Sequence, residues 1–106
     1  MKLAIIISSN DPETVWNAFR LGVYALKAGD AVAAFLLGKG VEAEQLRAAN
    51  FDVPDMMGQF FAAGGSVLAC GTCLKLRQEQ DSGACSISTM KDLYELVRDH
   101  DKVLTF

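Results

Sequence analysis

The pattern that most constrains the fold is an apolar run, an amphipathic segment and a second apolar run within the first 37 residues. Residues 2–8 are mostly apolar and do not alternate with polar residues, which is typical of a strand buried on both faces of a parallel sheet. Asp11 and Pro12 then carry the signals of a helix start, and apolar residues recur at helical spacing up to Gly29. Residues 30–37 form the second apolar run. This segment predicts a right-handed strand–helix–strand unit.

The rest of the chain continues the alternation of helices and strands. We predict helices over residues 41–49, 54–63 and 71 to about 78, strands over residues 66–70, 84–88 and 102–106, and a loop over residues 78–83. Thr89 and Asp92 resemble a capping box that opens a last helix, on which Met90, Leu93, Leu96 and Val97 form one face. The sequence therefore predicts a single α/β domain over residues 1–106. Its architecture is three-layer α/β/α, around a mostly parallel sheet of about four to five strands.

Composition and charge exclude several classes of function. The net charge is −3 and the basic residues are scattered, so no patch is expected that could neutralise a row of phosphates in a nucleic acid. No stretch approaches the roughly 20 apolar residues that cross a bilayer, and residues 3–7 are too short for a signal peptide. Three cysteines in a chain of this kind favour cytosolic redox, sulfur or metal chemistry over a secreted disulfide scaffold. We therefore expect a cytoplasmic protein.

Cys70 and Cys73 stand where the predicted strand over residues 66–70 turns into a helix. Reactive groups gather at this edge of parallel sheets, beyond the carboxyl ends of the strands. At the start of its helix Cys70 meets unpaired N–H groups that favour a thiolate or a persulfide, so its pKa is expected to fall. Cys73 is about one turn away, close enough to attack a disulfide or a persulfide on Cys70. Sulfur chemistry is the leading hypothesis, and two buried structural cysteines are the alternative.

Other side chains are open to two interpretations each. Ser8 and Asn10 end the first strand at the same edge and line the site, although capping and turn formation explain them equally well. Cys85 either faces the same pocket, as a third thiol or in a three-sulfur metal site with Cys70 and Cys73, or is a buried residue of a short strand.

Two further features of the sequence are not expected to take part in the reaction of the cysteines. His100, the only histidine, ends the last helix at the opposite edge of the sheet, and we predict an exposed residue that complements the helix dipole rather than a general base. Residues 38–40 contain two glycines but lack the spacing of a nucleotide-binding loop. No nucleotide or other cofactor is therefore predicted.

A strand that ends in Cys70, followed by Gly71 and by Arg77 seven residues after the cysteine, resembles the DsrE/DsrF-like sulfur-relay family. The opening strand and helix and residues 87–106 are similar to the same family, and the resemblance covers essentially the whole chain. It implies a DsrE-like domain of flavodoxin/Rossmann-like topology, in which Cys70 accepts a sulfane sulfur as a persulfide and passes it to a partner protein. Because the best-known carriers have a single cysteine in this loop, the additional Cys73 keeps a redox or metal-binding variant open.

We therefore expect a small sulfur carrier or sulfurtransferase, in which Cys70 receives the sulfur and Cys73 resolves or shares it. The residues expected to bind substrate are Ser8, Asn10, Gly71, Thr72 and Arg77. The resemblance implies donor and acceptor proteins as partners, and a homo-oligomer such as a dimer, trimer or hexamer. Two other classes stay open: a thiol–disulfide or metal-binding module that also uses Cys85, and a non-catalytic oligomer subunit.

Overall fold

The computed structural model describes residues 1–77 and 85–106. The strands in these ranges are β1 (Lys2–Ile7), β2 (Ala31–Leu36), β3 (Ser66–Cys70), β4 (Ser86–Ser88) and β5 (Lys102–Thr105). The α-helices are α1 (Pro12–Lys27), α2 (Val53–Ala62), α3 (Gly71–Leu76) and α4 (Met90–Asp99), and a 3₁₀ segment covers Gly38–Gln45. None of the helices within the described ranges is long and apolar enough to span a membrane.

The described strands form one sheet in the order β4-β3-β2-β1-β5, and every neighbouring pair is parallel. Leu3, Ala4, Ile5 and Ile7 of β1 are almost completely buried, which explains why this strand shows no polar alternation. The predicted α/β fold with a parallel sheet is confirmed. Because β3 lies between β2 and β4, its last residue stands at the carboxyl edge of an inner strand.

The residues predicted to begin and end helices occupy those positions in the structure. The Asp11 carboxylate accepts a hydrogen bond from the Thr14 amide at 3.0 Å, and Gly29 after the helix adopts a positive φ of 100°. Thr89 and Asp92 form the predicted capping box at the start of α4. These caps set both ends of α1 and the start of α4.

The core lies on the inner faces of the sheet and of α1 and α2. Phe19 of α1 and Phe60 of α2 are fully buried and meet edge to face, with ring centroids 5.4 Å apart. Of the face predicted for α4, Leu96 is buried and Leu93 is partly buried, whereas Met90 and Val97 are exposed. The predicted apolar face is therefore wrong for Met90 and Val97, because α4 turns a narrower face to the core than the spacing of its apolar residues indicates.

The predicted and observed boundaries differ most in the segments that surround Cys70 at the carboxyl edge of the sheet. The helix predicted over residues 41–49 is a 3₁₀ segment that begins at Gly38, where φ is +56°. Helix α3 ends at Leu76, while residue 78, its predicted end, lies outside the described residues. The loop predicted over residues 78–83 lies outside them as well, as does residue 84, the predicted start of β4.

Candidate functional site

Cys70 is the last residue of β3 and the N-cap of α3, as the sequence predicts. Within the described residues, however, its side chain makes no capping hydrogen bond to α3. Helix α3 has only six residues, so few aligned peptide dipoles act at its start. The expected hydrogen bonds from helix N–H groups to Cys70 are therefore not formed by the thiol in this structure.

Cys70 is buried, with 6% of its surface exposed. One cause is the approach of β4 to the start of α3, where Gly71 leaves room for the neighbouring strand. A Cβ atom on Gly71 would lie 2.9 Å from Ile87 Cγ2 and 3.5 Å from the Ser88 carbonyl oxygen. Gly71, expected among the substrate-binding residues, thus has a close-packing role in this structure. Thr72, the next residue, is exposed in the first turn of α3.

Cys73 is partly exposed and is the third residue of α3, one turn after the N-cap residue Cys70, so the Cys70 thiol lies near enough to affect the pKa of Cys73. The backbone N–H of Gly38, which follows β2, donates a hydrogen bond to Cys73 Sγ at 3.2 Å. Burial raises the pKa of the Cys73 thiol, and the neighbouring Cys70 thiol raises it further. The Gly38 N–H and the Arg77 guanidinium act in the opposite direction and favour the thiolate.

Glu42 connects two of the predicted site residues, and the sequence analysis did not identify it. Arg77 Nε donates to Glu42 Oε2 at 2.9 Å, and Asn10 Nδ2 donates to Glu42 Oε1 at 3.4 Å. Arg77 Nη1 also donates to the carbonyl oxygen of Cys73 at 3.3 Å. These contacts hold the pKa of Glu42 below its usual range, with the Arg77 hydrogen bond as the main cause. Asn10 and Arg77 are therefore brought together beside Cys73.

Ser8 is not joined to this network by any contact recorded among the described residues. Its hydroxyl donates to the carbonyl oxygen of Phe106 at 3.2 Å, and its backbone N–H donates to the same oxygen at 2.9 Å. Ser8 therefore ties the end of β1 to the end of β5, a structural role that differs from the capping and turn formation considered in the sequence analysis.

Cys85 is buried, and its thiol donates to Glu44 Oε1 at 2.9 Å. Within the described residues, none of the three cysteines forms a disulfide bond. Within residues 1–77 and 85–106, no group of three or more His, Cys, Asp or Glu side chains is placed to hold a metal ion. The described residues therefore give no support to a three-sulfur metal site made of Cys70, Cys73 and Cys85.

His100 lies at the carboxyl end of α4, just before β5, as predicted. Its Nδ1 atom is 2.7 Å from the carbonyl oxygen of Leu96, one of the last carbonyl groups of the helix. The ring is partly buried rather than exposed, because this contact holds it against the helix end. His100 thus stands at the opposite edge of the sheet from Cys70.

The position of Arg77 predicts a change in the reactivity of Cys73. We expect Cys73 to titrate above the ordinary thiol value of about 8.5, and Arg77→Gln to raise its pKa further because the guanidinium lowers it. Folding stability from this thiol is present at lower pH and is lost as pH rises through the folded-state pKa. The measurement is the rate of iodoacetamide alkylation against pH, located on Cys73 by tandem mass spectrometry.

Lys75→Gln is the matched control for this measurement, because it removes an exposed positive charge from the same helix without touching Glu42. It should leave the alkylation profile of Cys73 close to that of the unmodified chain. An Arg77→Gln profile that matches the Lys75→Gln profile would show that Arg77 does not act on the thiol.

The fold and the site define a small α/β protein with two thiols, one helical turn apart, at the carboxyl edge of its parallel sheet. The model of the DsrE/DsrF-like family matches residues 1–106, and the chain belongs to this family. Membership supports a role of the sulfur-relay type in general. The resemblance noted in the sequence is thereby confirmed.

Three similar proteins show how far this relationship extends. The chain is 31% identical over 114 residues to the uncharacterized protein MJ0989 of Methanocaldococcus jannaschii, with both chains fully covered. It is 31% identical over 100 residues to the uncharacterized protein MK0008 of Methanopyrus kandleri, covering 89% of this chain and 83% of that protein. The crystal structure of the ychN protein from E. coli superposes with a TM-score of 0.84 at 23% identity, covering 100% of both chains, and shows the shared fold.

Proposed function

We propose that this protein carries sulfane sulfur as a persulfide on Cys70. The observation that supports this most directly is the placement of Cys70 and Cys73 one helical turn apart, at the carboxyl end of an inner strand. Persulfide formation needs a thiolate that attacks the outer sulfur of a donor persulfide and displaces the donor thiolate. The product, a Cys70 persulfide, keeps that sulfur available to an acceptor.

Cys70 is a better storage position than Cys73. Its side chain is 6% exposed, which limits attack by solvent thiols and oxidants on a bound persulfide. Cys73 is more exposed, and burial and the neighbouring Cys70 raise the pKa of its thiol. We therefore assign sulfur storage to Cys70, and we propose that donors and acceptors approach from the side of Thr72 and Cys73.

The experiment compares two variants that each retain one cysteine. After incubation with a low-molecular-weight persulfide, Cys73→Ser/Cys85→Ser should gain about 32 Da, the mass of one sulfur atom, and lose it on treatment with dithiothreitol. Cys70→Ser/Cys73→Ser, which retains only Cys85, whose thiol donates to the Glu44 carboxylate, is the matched control and should gain no sulfur. Equal gains in the two variants, or a Cys70→Ser chain that gains sulfur as readily as its parent, would contradict the assignment.

The site residues and partners of this role are proposals as well. Cys73 is proposed to share or resolve the persulfide, and Asn10 and Arg77 are proposed to shape the site through their common contact with Glu42. Thr72 is proposed to face the approaching partner because it is exposed beside the dithiol. The partners would be sulfur donor and acceptor proteins and further copies of the chain, in the cytoplasm.

A thiol–disulfide exchange module is the second candidate, because the same spacing of Cys70 and Cys73, one helical turn apart, also suits formation of a disulfide. The two candidates differ in the product formed with a persulfide donor. A pure exchange module becomes about 2 Da lighter through loss of two hydrogens and never carries added sulfur when Cys73 is replaced.

A further inference from the structure

We propose that the dithiol releases its cargo within one chain: Cys73 attacks the inner sulfur of the Cys70 persulfide, and hydrosulfide leaves as a Cys70–Cys73 disulfide forms. This inference rests on the proposed function, since it needs a persulfide on Cys70. It goes further by making inorganic hydrosulfide the product and by requiring a dithiol reductant for the next cycle.

The placement of the nucleophile carries the inference. Cys70 is the N-cap of α3 and Cys73 is its third residue, a spacing that places the side chain of an N-cap residue beside the residue one turn on. The Cys73 thiol therefore lies next to any persulfide formed on Cys70. An acceptor protein, by contrast, must reach a sulfur of which little is exposed. The structure therefore favours attack by the Cys73 thiol over attack by a thiol from outside.

Two groups beside Cys73 favour the thiolate that would attack. The Gly38 N–H donates to Cys73 Sγ, and Arg77 Nη1 donates to the carbonyl oxygen of Cys73. Both groups lower the pKa of Cys73, whereas burial and the Cys70 side chain raise it. Glu42 holds Arg77 in place through its carboxylate and is a positioning residue for this step.

The step balances without an external oxidant. The persulfide on Cys70 and the thiol of Cys73 become one disulfide and one hydrogen sulfide, or hydrosulfide after loss of a proton. The bond between the two sulfurs of the persulfide breaks, and a bond between Cys70 Sγ and Cys73 Sγ forms. The sulfane sulfur is reduced, the two cysteines are oxidised, and the thiol proton of Cys73 goes to the leaving sulfur.

This chemistry places the protein between two classes of reaction. A persulfide-forming reaction must supply the sulfane sulfur, and a reaction that consumes hydrosulfide must take the product. The Cys70–Cys73 disulfide returns to two thiols when a dithiol reductant becomes a disulfide in exchange. Without that reductant, each chain releases a single equivalent.

The experiment measures hydrosulfide from the full chain after one exposure to a limiting amount of low-molecular-weight persulfide, with no reductant present. We expect the unmodified chain to release hydrosulfide and to become about 2 Da lighter, as a Cys70–Cys73 disulfide forms. Cys73→Ser should instead retain about 32 Da of added sulfur and release hydrosulfide about tenfold more slowly or less. Cys85→Ser is the matched control and should behave as the unmodified chain does.

Addition of dithiothreitol supplies a second measurement, because it should restore the unmodified chain for another round of release. Cys73→Ala repeats the comparison of hydrosulfide release with a side chain that, unlike serine, has no hydroxyl group to form new hydrogen bonds. If these variants lose their added sulfur as fast as the unmodified chain, intramolecular release is overturned while the persulfide on Cys70 stands. If neither the unmodified chain nor the Cys73 variants take up sulfur, the proposed function fails and the release step fails with it.

Discussion

Gly40→Ala should destabilise the protein by about 3 kcal/mol, because the added methyl group has no space. An ideal Cβ atom at this position would overlap the carbonyl oxygen of Ile7. That oxygen cannot move freely, since it accepts the hydrogen bond from the Leu37 N–H at 2.9 Å that joins the ends of β1 and β2. The 3₁₀ segment must shift away from β1 instead, and equilibrium unfolding in urea measures the cost.

Gly58→Ala is the control for this change of residue type. Gly58 lies inside α2 with nothing within 4 Å of an ideal Cβ, so alanine should stabilise the protein by about 0.5–1 kcal/mol. The two glycines are therefore expected to respond with opposite sign. A Gly40→Ala chain that unfolds at the same urea concentration as the unmodified chain would show that the segment yields without cost.

The same substitution should change the site as well as the stability. The 3₁₀ segment carries Gly38, whose N–H donates to Cys73, and Glu42, which binds Arg77. If Gly40→Ala moves the segment away from β1, both contacts are altered. The thiol of Cys73 then loses two groups that favour its ionised form, so its alkylation at neutral pH should slow.

Much of the fold follows from the sequence because its main signals are local. A strand buried on both faces needs a continuous apolar run, and residues 2–8 and 30–37 supply two of them. Helix starts and ends depend on side chains within a few residues, as at Asp11 and Gly29. The position of Cys70 is predictable for the same reason, because it requires only a strand followed by a helix.

The contacts that shape the dithiol are long-range and could not be predicted in this way. Gly38 and Cys73 are 35 residues apart, as are Glu42 and Arg77. Neither pair has a spacing that marks it, because each depends on how β2 and β3 align in the sheet. The 3₁₀ segment was missed for a related reason, since the packing of Gly40 against β1 fixes its course.

The exposure of the cysteines could not be predicted from the sequence either. The pattern placed Cys70 at an open edge, whereas the approach of β4 to Gly71 leaves only 6% of Cys70 exposed. The more accessible sulfur is that of Cys73, which the sequence treated as the secondary thiol. The two cysteines therefore differ in exposure: Cys70 is protected from solvent, and Cys73, one turn later, is the more accessible thiol.

Phe60→Ala should cost about 3–5 kcal/mol, which makes it the largest single-residue effect we expect. The Phe60 ring is fully buried, meets Phe19 with ring centroids 5.4 Å apart, and fills the space in front of Gly65. Its removal leaves a cavity between α1, α2 and the start of β3 that the surrounding backbone cannot close. Phe61→Ala in the same helix is the control and should cost less, because Phe61 is only partly buried.

Gly65 supplies a sharper test of this packing through a double-mutant cycle. A Cβ atom on Gly65 would overlap the ring of Phe60, so Gly65→Ala alone should cost about 1–3 kcal/mol. In the Phe60→Ala background the ring is gone and the added methyl group enters the cavity. The double variant should then be more stable than the sum of the two single costs predicts, by about 1 kcal/mol or more. Strict additivity would mean that Phe60 does not press on Gly65, and that the tight turn into β3 is set by its backbone alone.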